Sequence, residues 1–116
     1  MGSAAEVVKA YFDAWNTQDE AKVRETLAPD VSFVGALGAA DGVEACVKGL
    51  VHGMWKLSPQ VTVVHRFVDG DDVLTWFEIH PSGGPAVPVA NWSHVEHGRI
   101  TRIRVTFDPR SILQQR

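Results

Sequence analysis

The sequence predicts an α+β domain in which three N-terminal helices pack on a curved sheet. Two patterns carry this prediction. Up to about Trp55 the apolar residues recur with helical spacing, and from Pro59 onward they alternate in short runs separated by turn residues. Helices followed by strands is the order of a domain whose helices gather on one face of a sheet. The 116 residues suit a single domain over 1–116, large enough for one core and too short for two.

The first helix is expected from Ser3 to Asn16, where Ala4, Val7, Val8, Tyr11, Phe12 and Trp15 form one stripe and Asp13 falls on the solvent side. "TQDEAKVRETLAPD" reads as a short second helix with a polar start, a proline stop, and Val23 and Leu27 inward. "VSFVG" is an early strand. The third helix is expected from Asp41 to Trp55, with Val43, Cys46, Val47, Leu50, Val51, Met54 and Trp55 on its buried stripe. His52 lies opposite that stripe, so Cys46 and His52 project to different sides and do not form a nucleophile pair. The runs "QVTVVHRFV", "DVLTWFEIH", "AVPVANWSHV" and "RITRIRVTF" then read as an antiparallel meander.

The face assignments decide which residues reach the interior. In the last strand Ile103, Val105 and Phe107 alternate with Arg102, Arg104 and Thr106, so the odd positions are inward. The turn "VEHGR" suits a three-residue loop with a glycine bulge, which places Val89, Asn91, Ser93 and Val95 on the same face. A two-residue loop is the alternative; it needs positive φ at His97 and swaps the faces. In the strand before, Val73, Thr75, Phe77 and Ile79 make the better core face. The opposite face keeps Leu74, Trp76, Pro88 and Trp92. That apolar outer face implies a homodimer through Leu74, Trp76 and Trp92, or else a cover supplied by the chain's own C-terminal tail.

Composition narrows the function classes. Hydrophobic residues make up 45% and charged residues 22%, ordinary for a globular protein, and the net charge of −3 offers no basic face for nucleic acid. No apolar run reaches membrane-spanning length and the N-terminal stretch lacks the apolar core of a secretory signal, so a cytoplasmic location is expected. Cys46 is the single cysteine, which excludes an internal disulfide and a multi-cysteine zinc site. No metal and no cofactor are expected, because the histidines lack neighbouring ligand sets and "GALGAADG" has neither the spacing nor the lysine of a phosphate loop.

The segments "VVKAYFDAWNTQDEAKVRETLAPDVSF" and "HGRITRIRVTFDP", with the helix and meander between them, resemble SnoaL-like proteins of the nuclear-transport-factor-2-like superfamily. The resemblance covers nearly the whole chain. It implies a cone between sheet and helices that holds a small, mainly apolar ligand of polyketide, terpenoid or steroid type, often in a homodimer. It also implies cyclase, isomerase or dehydratase chemistry, or plain binding; the fold alone does not choose among these. Tyr11 falls where ketosteroid isomerases keep an oxyanion-hole tyrosine. Their carboxylates would fall near Gly35 and Ser93, and those of limonene epoxide hydrolases near Phe77 and Val105, where this chain has none.

The expected site therefore comprises Tyr11, His65 and Asn91 as catalytic candidates. Its pocket wall is expected from Trp15, Phe33, Trp55, Thr75, Phe77, Ser93, Ile103 and Val105. His65, in the alternation Val61–Val63–His65–Phe67, could act as acid or base near neutral pH, or be a structural histidine. Asn91 and Ser93 on a core face imply a polar spot that either anchors a ligand oxygen or satisfies itself internally. A non-catalytic binding or dimerisation module is the alternative function.

Overall fold

The computed structural model describes residues 3–113. Helix α1 spans Ala4–Thr17. Its start is a capping box: the Glu6 N–H donates to Ser3 Oγ at 3.2 Å, and the Ser3 N–H donates to the Glu6 carboxylate at 3.0 Å. These bonds hold the Glu6 carboxyl below its ordinary range. Gln18, with φ 58, ends the helix in the left-handed conformation. Val8, Tyr11, Phe12 and Trp15 are buried, while Asp13 stays in solvent and pairs with Lys9 at 2.7 Å. Trp15 and Asn16 fix α1 to the chain around Ser58–Val61, and Asn16 Nδ2 donates to the Val61 carbonyl at 3.1 Å. Trp15 Nε1 donates to the Ser58 carbonyl at 2.8 Å, and the Val61 N–H donates to Asn16 Oδ1 at 2.7 Å.

Helix α2, Glu20–Thr26, starts at the Asp19 cap and stops earlier than expected. Leu27 is not an inward helix position but the buried first residue of strand β1, Leu27–Gly35. Pro29 supplies the reason: it disfavours helical backbone before it, and Leu27 is already extended at φ −102, ψ 138. Strand β2, Gly38–Asp41, pairs back on β1 and displaces the expected start of the third helix. That helix runs as α3, Val43–Gly49, through a π-helical segment, Leu50–Met54, into a last α turn, α4, Trp55–Leu57. His52 is exposed, as its position opposite the stripe requires.

Strands β3, Val61–Asp69, β4, Asp72–Ile79, β5, Val87–Glu96, and β6, Arg99–Phe107, form the meander, and a short helix α5, Arg110–Leu113, follows. The six strands make one sheet in the order β2-β1-β6-β5-β4-β3. It is mixed, because β1 runs parallel to β6 while the other pairs are antiparallel. Phe12 sits between helix and sheet, its ring 4.9 Å from that of Phe77 and 5.3 Å from that of Tyr11.

The β5–β6 turn corrects one expectation and preserves its consequence. It is a two-residue turn in which His97 and Gly98 both have positive φ, 52 and 76, and Glu96 pairs with Arg99. That turn by itself would swap the faces. An extra residue, Thr101, then bulges out of β6: Val95 pairs with Ile100, but His94 with Arg102. Beyond the bulge odd positions again face odd ones, Ser93 opposite Ile103 and Asn91 opposite Val105. All of Val89, Asn91, Ser93 and Ile103 are buried.

A second bulge reverses the placement of His65. Val63 pairs with Phe77, whereas His65 pairs with Trp76, leaving Val64 as the inserted residue. From that point His65 and Phe67 share the outer face with Trp76 and Leu74. Their rings touch there at a centroid distance of 4.4 Å. Arg66 takes the inner position instead. Its Nε donates to Thr75 Oγ1 at 3.2 Å and its guanidinium lies 5.5 Å from the centre of the Phe12 ring.

Candidate functional site

Between the inner sheet face and the α3–α4 helix lies a cavity of about 430 Å³. This is within the range of small-molecule sites, roughly 300–1,000 Å³. The sheet contributes Phe77, Val89, Asn91, Ile103 and Val105. Helix α1 contributes Tyr11 and Trp15 at one end, and the opposite wall is the face of the long helix from Cys46 to Leu57. The β1–β2 turn, with Ala36 and Leu37 at its tip, and Ile112 of α5 frame the mouth. The wall is almost wholly apolar, which makes the few polar atoms informative.

Asn91 is 2% exposed and Tyr11 5%. Ser93 Oγ donates to Asn91 Oδ1 at 2.7 Å, so the acceptor half of the carboxamide is satisfied inside the strand. Among the described residues neither Asn91 Nδ2 nor the Tyr11 hydroxyl has a protein partner, and both side chains line the cavity. The cavity therefore offers two hydrogen-bond donors on an apolar wall. Burial, and secondarily the Cys46 thiol, push the Tyr11 hydroxyl well above its ordinary value, so it stays a neutral donor. Cys46 also lines the cavity. Burial, then the Asp41 carboxylate, push its thiol up to about 11, and it too is neutral near pH 7. Among the described residues no Asp, Glu, His, Lys or Arg side chain lines the cavity.

The expected site residues divide accordingly. Tyr11, Asn91, Trp15, Phe33, Phe77, Ile103 and Val105 come together around the cavity. Ser93 and Thr75 are buried behind it: Ser93 orients Asn91, and Thr75 accepts from Arg66. Trp55 is buried but is not part of the wall, and its indole N–H has no partner among the described residues. His65 is exposed on the other side of the sheet, so it cannot act with Tyr11 and Asn91. The helical part of the wall, with Leu50 and Met54, comes from the buried stripe expected of the third helix, whereas the hairpin part, Ala36–Ala40, was not expected and had the small-residue run "GALGAA" beside a strand as its one signal.

The outer face carries Leu74, Trp76 and Trp92, exposed by 39%, 43% and 36%. Beside them Asp72 Oδ1 accepts from Trp92 Nε1 at 2.9 Å and lies 2.7 Å from His94 Nδ1. These bonds, that to His94 first, hold the Asp72 carboxyl below its usual range. Ile112 turns toward the cavity mouth, so the described part of the C-terminus does not cover the tryptophans. Among the described residues no group of three or more His, Cys, Asp or Glu side chains is placed to hold a metal ion, and no helix is long and apolar enough to cross a membrane.

Solved structures share this architecture. An NTF2-like protein of unknown function from Cytophaga hutchinsonii superposes with a TM-score of 0.86 at 24% identity, over 97% of this chain and 96% of its own. A protein from Jannaschia sp. CCS1, provisionally named a SnoaL-like polyketide cyclase, superposes at 0.81 with 22% identity, over 96% and 89%. A ketosteroid-isomerase-like fold from Catenulispora acidiphila, solved with trimethylamine, reaches 0.75 at 25% identity, over 95% and 91%. A comparison with curated proteins returned no match. The SnoaL-like domain matches residues 8–103. Since that match runs from the cavity end of α1 through the helical wall to Ile103 on the sheet, the chain belongs to the SnoaL-like domain family.

Proposed function

We propose that this protein binds a small, mainly apolar molecule in its cone and holds one hydrogen-bond acceptor of that molecule, such as a ketone oxygen, between Tyr11 and Asn91. The observation that carries this reading is the pair of unpartnered donors on an otherwise apolar wall. Both donors open onto the cavity, so a ligand acceptor can take the place of water there and gain a hydrogen bond on an apolar wall. A donor pair of this kind also polarises a carbonyl and stabilises charge developing on its oxygen. Among the described residues the titratable groups of the wall, Tyr11 and Cys46, are held protonated, so they serve as hydrogen-bond donors and not as bases near neutral pH. With His65 on the outer face, ligand binding is the function this arrangement supports.

The dimer belongs to the same reading. Trp76, Leu74 and Trp92 form an apolar band on the face away from the cavity, and a second copy covers it by a two-fold contact. The cavity mouth then stays free.

The test uses prodan, a neutral naphthalene ketone whose fluorescence reports binding. Wild-type protein is expected to bind it. Asn91→Leu is expected to weaken binding by the loss of one hydrogen bond, about 0.5–1.5 kcal/mol, and Tyr11→Phe by a similar amount. Equal affinity in all three proteins would remove the anchoring role, and no binding to wild type would sink the reading. Mass spectrometry of small molecules that copurify with the protein identifies the native ligand.

A further inference from the structure

Two glycines in the helical wall have no structural reason to be glycine. Gly49 lies at φ −62, ψ −39, ordinary helical geometry, and Gly53 lies inside the π-helical segment. A methyl group built on either would meet no atom within 4 Å beyond the neighbouring residues and the helix's own backbone. Glycine is the poorest helix former after proline, so each position weakens its helix without easing a clash or a turn. Other glycines in the chain answer such a need. Gly70 and Gly98 have positive φ, and a methyl at Gly35 would lie 2.9 Å from the Phe33 ring.

Both glycines line the cavity. Both are exposed, and, spaced four apart, they share one side of the helix and leave a strip of bare backbone between Cys46 and Leu57 along the cavity lining. π-Helical insertions are themselves frequent at functional sites. A second observation points to a ligand in the same space: Tyr11 and Asn91, each more than nine-tenths buried, aim unpartnered donors into it.

We infer that Gly49 and Gly53 set the ligand specificity of the cone: they hold one wall back so that a broad, ring-containing molecule lies flat against the helix backbone while its acceptor meets Tyr11 and Asn91. This inference rests on the proposed ligand-binding reading and extends it to the shape of the ligand. A chain-like ligand would need no such strip, because side chains at 49 and 53 could close around it. A flat ring system has to approach the backbone, and a methyl at either position stands in its plane of contact.

The experiment compares wild type with Gly49→Ala, Gly53→Ala and the double variant. Thermal melting reports the helix and prodan fluorescence titration reports the cavity; 2-nonanone, a linear ketone that displaces prodan, serves as the slender competitor. The alanine variants are expected to melt higher than wild type. They are also expected to bind prodan roughly tenfold or more weakly, the scale of one misfitted carbon in an apolar pocket. Their affinity for 2-nonanone is expected to remain near that of wild type. Variants that melt lower would show that the glycines serve the fold and would overturn the inference. So would variants that bind prodan as wild type does, or that lose both ketones equally. Wild type failing to bind prodan would sink the ligand-binding reading itself, and this inference with it.

Discussion

Replacing Ser93 by alanine probes the internal bond that aims the Asn91 carboxamide. The Ser93 hydroxyl donates to Asn91 Oδ1 at 2.7 Å, and the two residues are 1% and 2% exposed. Water does not readily replace the lost donor at that depth. The alanine variant leaves Oδ1 buried without a partner, at roughly 1–3 kcal/mol. For a domain of this size about 1 kcal/mol corresponds to roughly 4 °C, so Ser93→Ala is expected to melt about 4–12 °C lower. The double variant Asn91→Leu/Ser93→Ala removes donor and acceptor together. It should recover much of that loss, since replacing both partners of a buried bond by apolar groups is close to neutral. Prodan binding adds an independent reading. With Oδ1 unsatisfied, the carboxamide is free to turn over and present its oxygen to the cavity, which repels a ketone, so Ser93→Ala should bind prodan more weakly although Ser93 does not line the cavity. A Ser93→Ala protein with wild-type melting and wild-type affinity would refute the claim that this bond orients the site.

Trp76→Glu places a charge in the apolar band of the outer face and should convert a dimer into a monomer in light scattering after size exclusion; a monomeric wild type would overturn the proposed assembly. Asp72 is held below its ordinary value of 3.8 by His94 and Trp92. A carboxylate depressed in the folded state contributes stability above its unfolded value that is lost as pH falls through the folded one. Asp72→Asn should therefore flatten the acid limb of the stability–pH curve below about pH 4, as urea melts at stepped pH would show. An unchanged limb would remove that contact from the account. Because the half-buried Cys46 thiol is pushed up to about 11, iodoacetamide at pH 8 should alkylate the native protein more slowly than the unfolded chain, and equal rates would contradict its place in the cavity wall.

How much of this was legible in the sequence depends on what each feature leaves in side-chain identity. The stripe Val8–Tyr11–Phe12–Trp15 and the alternation Val73–Thr75–Phe77–Ile79 are visible because burial selects residue type directly, and both are buried in the structure. The polar spot at Asn91 and Ser93 was legible for the same reason, since polar residues on a core face stand out. The bulges were not. An inserted residue such as Val64 or Thr101 has no required side chain, yet it shifts the alternation of everything beyond it. At Val64 this moved His65 out of the interior and brought Arg66 in. At Thr101 it offset a two-residue turn, so the expected faces of β5 and β6 survived although the expected loop did not. The β1–β2 hairpin was missed because Gly38–Asp41 is too short and too rich in alanine to show a strand pattern. The glycine strip was invisible as well: in a sequence, a glycine that widens a cavity reads like one that bends a chain.

The most direct measurement is a crystal structure of the wild-type protein with prodan bound. The account predicts the ligand inside the cone, its ketone oxygen within hydrogen-bond distance of Tyr11 Oη and Asn91 Nδ2 and its ring against Gly49 and Gly53. A cone closed by Met54 and Leu57, or a ligand seated on the outer tryptophans with Tyr11 and Asn91 untouched, would contradict it.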